Sequence, residues 1–183
     1  MITGTNRIRI IMTPLNLKPL SVWGDHKVFE CPLRELMDAF IDEAVKSNHE
    51  IFRHDFKDLK IKPCKDCGGC FQKEVPCAYL DDFNLVAPDL LQSQDLVIFA
   101  TGTFSSPLLA ALSKGVCFES APTPLTLHHL ILVYLGSEKE LQSQIQPYFA
   151  GILTLAPEKT RVIRFDNVDA KALDEIKKLG QRL

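Results

Sequence analysis

The chain has 183 residues, of which 46% are hydrophobic and 24% charged, and a formal net charge of −2. This length predicts a single domain over residues 1–183, since a domain takes roughly 100–200 residues, and the composition excludes a disordered, collagen-like or coiled-coil chain. The near-balance of charge argues against nucleic acid or an anionic membrane as a partner, and no apolar run reaches the ~20 residues of a membrane span.

The first twelve residues are interrupted by Asn6, Arg7 and Arg9 and do not read as a secretory signal. A cytoplasmic chain with reduced thiols is therefore expected. Ile8, Ile10, Ile11 and Met12 form a β-branched run that ends at Thr13 and Pro14, predicting strand one. Leu15 to about Glu30 reads as a polar, irregular stretch containing Trp23. Leu33, Leu36, Met37, Phe40, Ile41, Ala44 and Val45 recur at helical spacing, with Pro32 in the first turn. Ile51–Phe56 reads as strand two.

Further along, Asp81 and Asp82 can cap a helix carrying Phe83, Val86, Ala87 and Leu90, with Pro88 inside it. Leu96–Ala100 predicts strand three, and Pro107 opens a helix with Leu108, Leu109, Leu112 and Val116 inward. Leu127–Leu135 predicts strand four, and Leu141, Ile145, Tyr148 and Phe149 mark a helix. Val162, Ile163 and Phe165 suggest strand five, followed by a helix through Leu173, Ile176, Leu179 and Leu183. Alternating strands and helices imply an α/β fold with a mostly parallel sheet. Ligands of such sheets bind beyond the carboxyl ends of the strands, where strand order reverses. The loops after strands one, two and three are thus the places to look.

The segment Ile61–Asp82 reads IKPCKDCGGCFQKEVPCAYLDD, and residues 61–80 form a cysteine-rich loop. Cys64, Cys67 and Cys70 are each separated by two residues, and Cys77 follows after six more. Thiolates are soft ligands for iron or zinc. Iron–sulfur clusters commonly take several closely spaced cysteines, whereas tetrahedral zinc more often uses two separated Cys-x-x-Cys pairs. The spacing favours a [4Fe–4S] cluster, with zinc and redox-active thiols as alternatives. Cys31 and Cys117 stand alone and read as small buried hydrophobes. His128 and His129 are adjacent on a strand edge and point to opposite faces, which disfavours one shared metal. His26, His49 and His54 are scattered and read as solvated.

Proline followed by C-x-x-C-G-G-C, a fourth cysteine and an Asp-Asp pair before a helix resembles the flavodoxin-like NAD(P)H-dependent FMN reductases. The iron–sulfur flavoproteins are the nearest subgroup. The similarity continues in QSQDLVIFATGTFSSPLLAALSKGVCFES, Gln92 to Ser120, and in the C-terminal KALDEIKKLGQRL. This resemblance implies a flavodoxin-like three-layer sandwich with a parallel five-stranded sheet of order 2-1-3-4-5. It also implies FMN on the strand-carboxyl rim.

In the family a loop after strand one holds the phosphate. The matching stretch here, Met12-Thr13-Pro14-Leu15, lacks the family's glycine and arginine, which leaves Thr13, Asn16 and Ser21 as phosphate-binding candidates. The family's Thr-Pro-x-Tyr becomes Thr101-Gly102-Thr103-Phe104, the expected contacts to the flavin ring, with Phe104 able to stack on it.

The function so implied is an FMN-dependent oxidoreductase in which FMN is coupled to a [4Fe–4S] cluster on Cys64, Cys67, Cys70 and Cys77. The protein positions the cofactors and no side-chain acid or base is required. NAD(P)H or a ferredoxin would donate electrons, and the family forms homodimers or homotetramers. Two alternatives stay open: an NAD(P)H-dependent FMN or quinone reductase without a cluster, and a non-catalytic metal-binding protein of the same fold that has lost FMN.

Overall fold

A computed structural model of the protein describes residues 17–25, 32–69, 77–114, 127–143 and 160–183. Five strands, β1 Lys18–Asp25, β2 His49–Asp55, β3 Asp95–Thr101, β4 His129–Leu135 and β5 Thr160–Phe165, form one sheet. Every neighbouring pair is parallel, and the order is β2-β1-β3-β4-β5, the order implied by the resemblance. The helices are α1 Pro32–Lys46, α2 Phe83–Gln92, α3 Ser106–Ser113 and α4 Ala170–Arg182, with a further helical stretch at 138–143. No helix among the described residues is long and apolar enough to cross a membrane.

Three layers follow from where the apolar side chains go. Leu20, Val22, Val97 and Phe99 face α1 and α4, where they meet Leu33, Phe40, Ile176 and Leu179. Trp23, Leu96, Ile98 and Leu132 face the other way, toward Phe83, Val86 and Leu90 of α2 and Leu108 and Leu112 of α3. A central parallel strand covered on both faces needs apolar residues on both, and all of β3 from Asp95 to Ala100 is buried. At Gly180, an added Cβ would stand 2.7 Å from the Phe40 carbonyl oxygen, so this glycine lets α4 lie close on α1.

The location of strand one is a correction. The strand between β2 and β3 is Lys18–Asp25, inside the stretch expected to be irregular, whereas Ile8–Met12 lies outside the described residues. Its sequence, KPLSVWGD, carries Pro19, Gly24 and two polar residues in the buried half, so no period of two survives. Burial on both faces removes the need for alternation. Ser21 is fully buried in mid-strand and donates to Ser93 Oγ at 2.7 Å, and Ser93 in turn donates to the Asp89 carbonyl at 2.8 Å. Trp23 is a core residue whose ring lies 4.6 Å from that of Phe56, not a loop residue.

The other described elements match expectation to within a few residues, while Val116, expected inward on the helix after Pro107, lies outside the described residues. Asp81 receives the Phe83 N–H at 3.0 Å at the start of α2, and Pro88 is accommodated inside that helix. Of the helix expected around Leu141–Phe149, residues 144–150 lie outside the described residues.

Candidate functional site

Strand order reverses between β1 and β3, and the ends of these two strands are where such folds bind their ligands. On the β1 side stands Asp25, paired in register with Ala100 and only 6% exposed. On the β3 side the chain leaves through Thr101, Gly102, Thr103 and Phe104 into α3. Asp25 closes the gap between them. Its Oδ2 accepts the Ser105 N–H at 2.7 Å, and Ser105 Oγ caps α3 by accepting the Leu108 N–H at 3.3 Å. A carboxylate beside the first turn of a helix also lies favourably in the field of its free amides.

The loop after β3 is pinned from below. Thr101 Oγ1 donates to the Leu135 carbonyl at 2.7 Å, and the Tyr134 hydroxyl donates to the Gly102 carbonyl at 3.0 Å. Burial, and then the Glu140 charge, push the Tyr134 pKa above its ordinary value, which keeps the phenol a neutral donor. Gly102 has φ of +57°, the left-handed region, and an added Cβ would meet no atom of the described residues within 4 Å. Among the described residues nothing covers the backbone there, and a glycine admits close approach of a flat ligand. Thr103 is exposed beside it. Phe104, in contrast, is 3% exposed and packs edge-on against Tyr134, with ring centroids 6.2 Å apart. Its ring is part of the core beneath the crevice and offers no platform to a ligand.

The candidates thus separate. Thr101, Gly102 and Thr103 stand together on the rim, with Thr101 Oγ1 committed to the Leu135 carbonyl and Thr103 exposed. Thr13 and Asn16 lie outside the described residues, and in the chain they precede β1 instead of following it. Ser21 is in the strand itself, its hydroxyl committed to Ser93. The expected phosphate set therefore does not form a loop after strand one, and the residues that follow β1, 26–31, lie outside the described ones. Asp25 was missed because an acidic residue at a strand end carries no local pattern. Its only sequence signal is the place next to a glycine at the end of the first strand, and that strand was misplaced.

The cysteine-rich loop follows β2 and a 3-10 turn at Phe56–Asp58, against which α3 packs. Cys64 and Cys67 are exposed free thiols and Cys77 is a buried one, 7% exposed, while Cys70 lies outside the described residues. Among the described residues no three His, Cys, Asp or Glu side chains gather into a metal-holding group. The stem of the loop is well tied. Lys60 N–H donates to Asp82 Oδ2 at 2.6 Å and Lys62 N–H to Asp81 Oδ2 at 2.9 Å. Burial pushes the Asp81 pKa up, but the Lys114 ammonium and the Lys62 and Phe83 amides outweigh it and hold the carboxyl below its ordinary value.

His54 and His129 pair with carboxylates of the scaffold, and His26 lies outside the described residues. His54 Nε2 lies 2.9 Å from Asp89 Oδ2, and His129 Nδ1 lies 2.7 Å from Asp95 Oδ1 at the opposite rim, where β3 and β4 begin. His49 is not solvated: it is 4% exposed, and neither ring nitrogen has a hydrogen-bond partner.

No family model matches the sequence, and no curated protein matches it either. The similarity is to solved structures. An NAD(P)H:quinone oxidoreductase from Methanothermobacter marburgensis superposes with a TM-score of 0.67 at 10% identity, covering 90% of this chain and 96% of that one. An azoreductase from Bacillus anthracis str. Sterne gives 0.61 at 12% identity, covering 91% and 100%. The Streptococcus pneumonia TIGR4 flavodoxin gives 0.55 at 6% identity, covering 90% and 95%. At such identities the likeness is one of fold, and the fold is flavodoxin-like.

Proposed function

We propose that this chain is an FMN-dependent oxidoreductase that takes electrons from a nicotinamide nucleotide. One observation carries this: at the switch point of a 2-1-3-4-5 parallel sheet, the loop after β3 presents Gly102 in a left-handed conformation, with no atom of the described residues within 4 Å of an added Cβ. Thr101, Gly102 and Thr103 would line the ring side, and bound FMN would supply hydride and electron transfer. The chain's own part is to fix that loop, through Asp25, Thr101 and Tyr134, so that the ring is met by a rigid backbone. The names of the fold's neighbours, an NAD(P)H:quinone oxidoreductase and an azoreductase, point to the same chemistry.

The finer part concerns the cysteines. A [4Fe–4S] cluster on Cys64, Cys67, Cys70 and Cys77 is supported by their spacing and by the free thiols of Cys64, Cys67 and Cys77. It requires Cys77 to turn out of its buried position. A ferredoxin donor, a homodimer or homotetramer and a cytoplasmic location belong to the same proposal, and a reduced compartment suits three unpaired thiols.

The test is NADH or NADPH oxidation by anaerobically purified protein supplied with FMN and a quinone. Turnover that depends on FMN supports the oxidoreductase, and none with either nucleotide contradicts it. Iron with acid-labile sulfide in the same preparation supports the cluster, whereas flavin without iron leaves the reductase and removes the cluster.

A further inference from the structure

Helix α3 is only eight residues long, and both of its ends are tied to rim loops. Its first turn is held by Asp25 through Ser105. At the other end Ser113 Oγ donates to the Ala110 carbonyl at 2.7 Å and accepts the Cys64 N–H at 3.1 Å. One residue further, Lys114 is 1% exposed, and its Nζ lies 2.7 and 2.9 Å from the two oxygens of Asp81. The same ammonium stands 4.9 Å from the centre of the Phe83 ring. Counting the amides of Lys60, Lys62 and Phe83, one ammonium and three backbone N–H groups converge on the adjacent carboxylates Asp81 and Asp82.

We propose that Lys114 and Asp81 are positioning residues, whose buried ion pair docks the stem of the cysteine-bearing loop on the C-terminal end of α3 and so fixes where Cys64 and Cys67 stand. Stability alone does not explain the pair. A buried ion pair is often no more stabilising than apolar side chains of similar size, because both charges lose their water. What the pair adds is direction. An ammonium shared by two oxygens, each also holding an amide, allows one register of stem on helix, whereas an apolar contact lets the stem slide. Cys64 is two residues beyond Lys62 and its own N–H is held by Ser113, so the register set by Asp81 reaches the first thiol directly. Because α3 starts at the loop carrying Gly102, its two ends hold the two candidate cofactor loops at a fixed separation.

The test uses the reduced full-length protein and the paired variant Asp81→Asn/Lys114→Met. Changing both residues avoids leaving one buried charge without its partner. Hydrogen exchange is read residue by residue. The amides of Lys60, Lys62 and Cys64 are expected to exchange at least about tenfold faster in the variant, while those of Val22 and Ile98 in the sheet keep their protection. A second readout rests on the metal-binding part of the proposed function. With zinc ions as a thiol-seeking probe, affinity is expected to fall about 10–100-fold in the variant, the range for residues that orient ligands from behind. Absence of zinc binding by the parent protein removes the metal reading and leaves exchange to decide the docking. Unchanged stem exchange overturns the proposal. So does loss of protection throughout the sheet, which would make the pair a general element of folding.

Discussion

The loop after β3 and the stem of the cysteine-bearing loop both rest on α3, yet they are held by different forces. The first leaves a strand buried from Asp95 to Ala100 and is anchored mainly through Phe104 in the core and neutral hydrogen bonds from Thr101 and Tyr134, with one carboxylate, Asp25, on Ser105. The second follows an edge strand, β2, and is anchored by charge, through Lys114 on Asp81 and amides on Asp81 and Asp82. Apolar anchoring tolerates changes of pH and salt, whereas anchoring by carboxylates requires them to be ionised. The ring-side loop thus leans on one carboxylate among core and neutral contacts, whereas the stem of the cysteine arm leans on the two carboxylates of Asp81 and Asp82.

Breaking one partner of the ion pair gives the largest expected effect. Lys114→Met leaves Asp81 buried without its cation, and a loss of about 3–5 kcal/mol is expected. Denaturant unfolding checks this, with the paired variant Asp81→Asn/Lys114→Met recovering most of the loss. Recovery is the informative result, since it separates a stranded charge from a missing contact.

Phe104→Ala is expected to cost about 3 kcal/mol or more through the cavity it leaves. Phe104→Leu sharpens the comparison, because it fills the core and removes the aromatic face. Flavin affinity unchanged in Phe104→Leu agrees with an anchor beneath the crevice, and a large loss of affinity at unchanged stability would show that the ring stacks on the ligand.

How much of this was legible in the sequence depended on how each element announces itself. β3 and β4 are short apolar runs, and α1 and α4 repeat at helical spacing, so all four were readable to within a few residues. β1 was not. Pro19, Ser21, Gly24 and Asp25 mimic a loop, and the more strand-like Ile8–Met12 took its place. That single shift moves the expected phosphate loop and makes Ser21, a core hydroxyl bonded to Ser93, read as a ligand. The turn at Gly102 was legible, because glycine followed by Ser105, Ser106 and Pro107 marks the passage from strand to helix, a passage that needs no ligand to explain it. Asp25 and Lys114 were not, since their partners, Ser105 and Asp81, lie 80 and 33 residues away. Long-range polar pairs leave no trace in local periodicity.

A smaller effect is expected at Gly102 itself. Alanine at φ of +57° brings the left-handed penalty of about 1–2 kcal/mol per residue, without a steric clash among the described residues. Thermal unfolding measures the penalty. The flavin is expected to bind more weakly too, because the added methyl stands where the ring would approach.

The smallest effect is in pH dependence. Burial, followed by the nearby Lys18 charge, lowers the His49 pKa in the folded chain. The unfolded chain therefore takes up a proton first as pH falls below about 6.5, and stability declines from there down to the folded pKa. Asp81 has the same sign at lower pH: its folded pKa is depressed, so its contribution is present above about 3.9 and is lost as pH falls through the folded value. His49→Phe is expected to remove the upper slope and keep the lower one, as read by unfolding at stepped pH.

The central claim is that the crevice between β1 and β3 holds a flavin against Gly102. Titration of FMN with the purified protein, followed by quenching of flavin fluorescence, tests it most directly. Quenching that saturates at one FMN per chain, and that weakens at least about tenfold in Gly102→Val, a side chain the left-handed position does not suit, is the expected result. FMN whose fluorescence is untouched by excess protein, or that binds Gly102→Val as tightly as the parent, would contradict it.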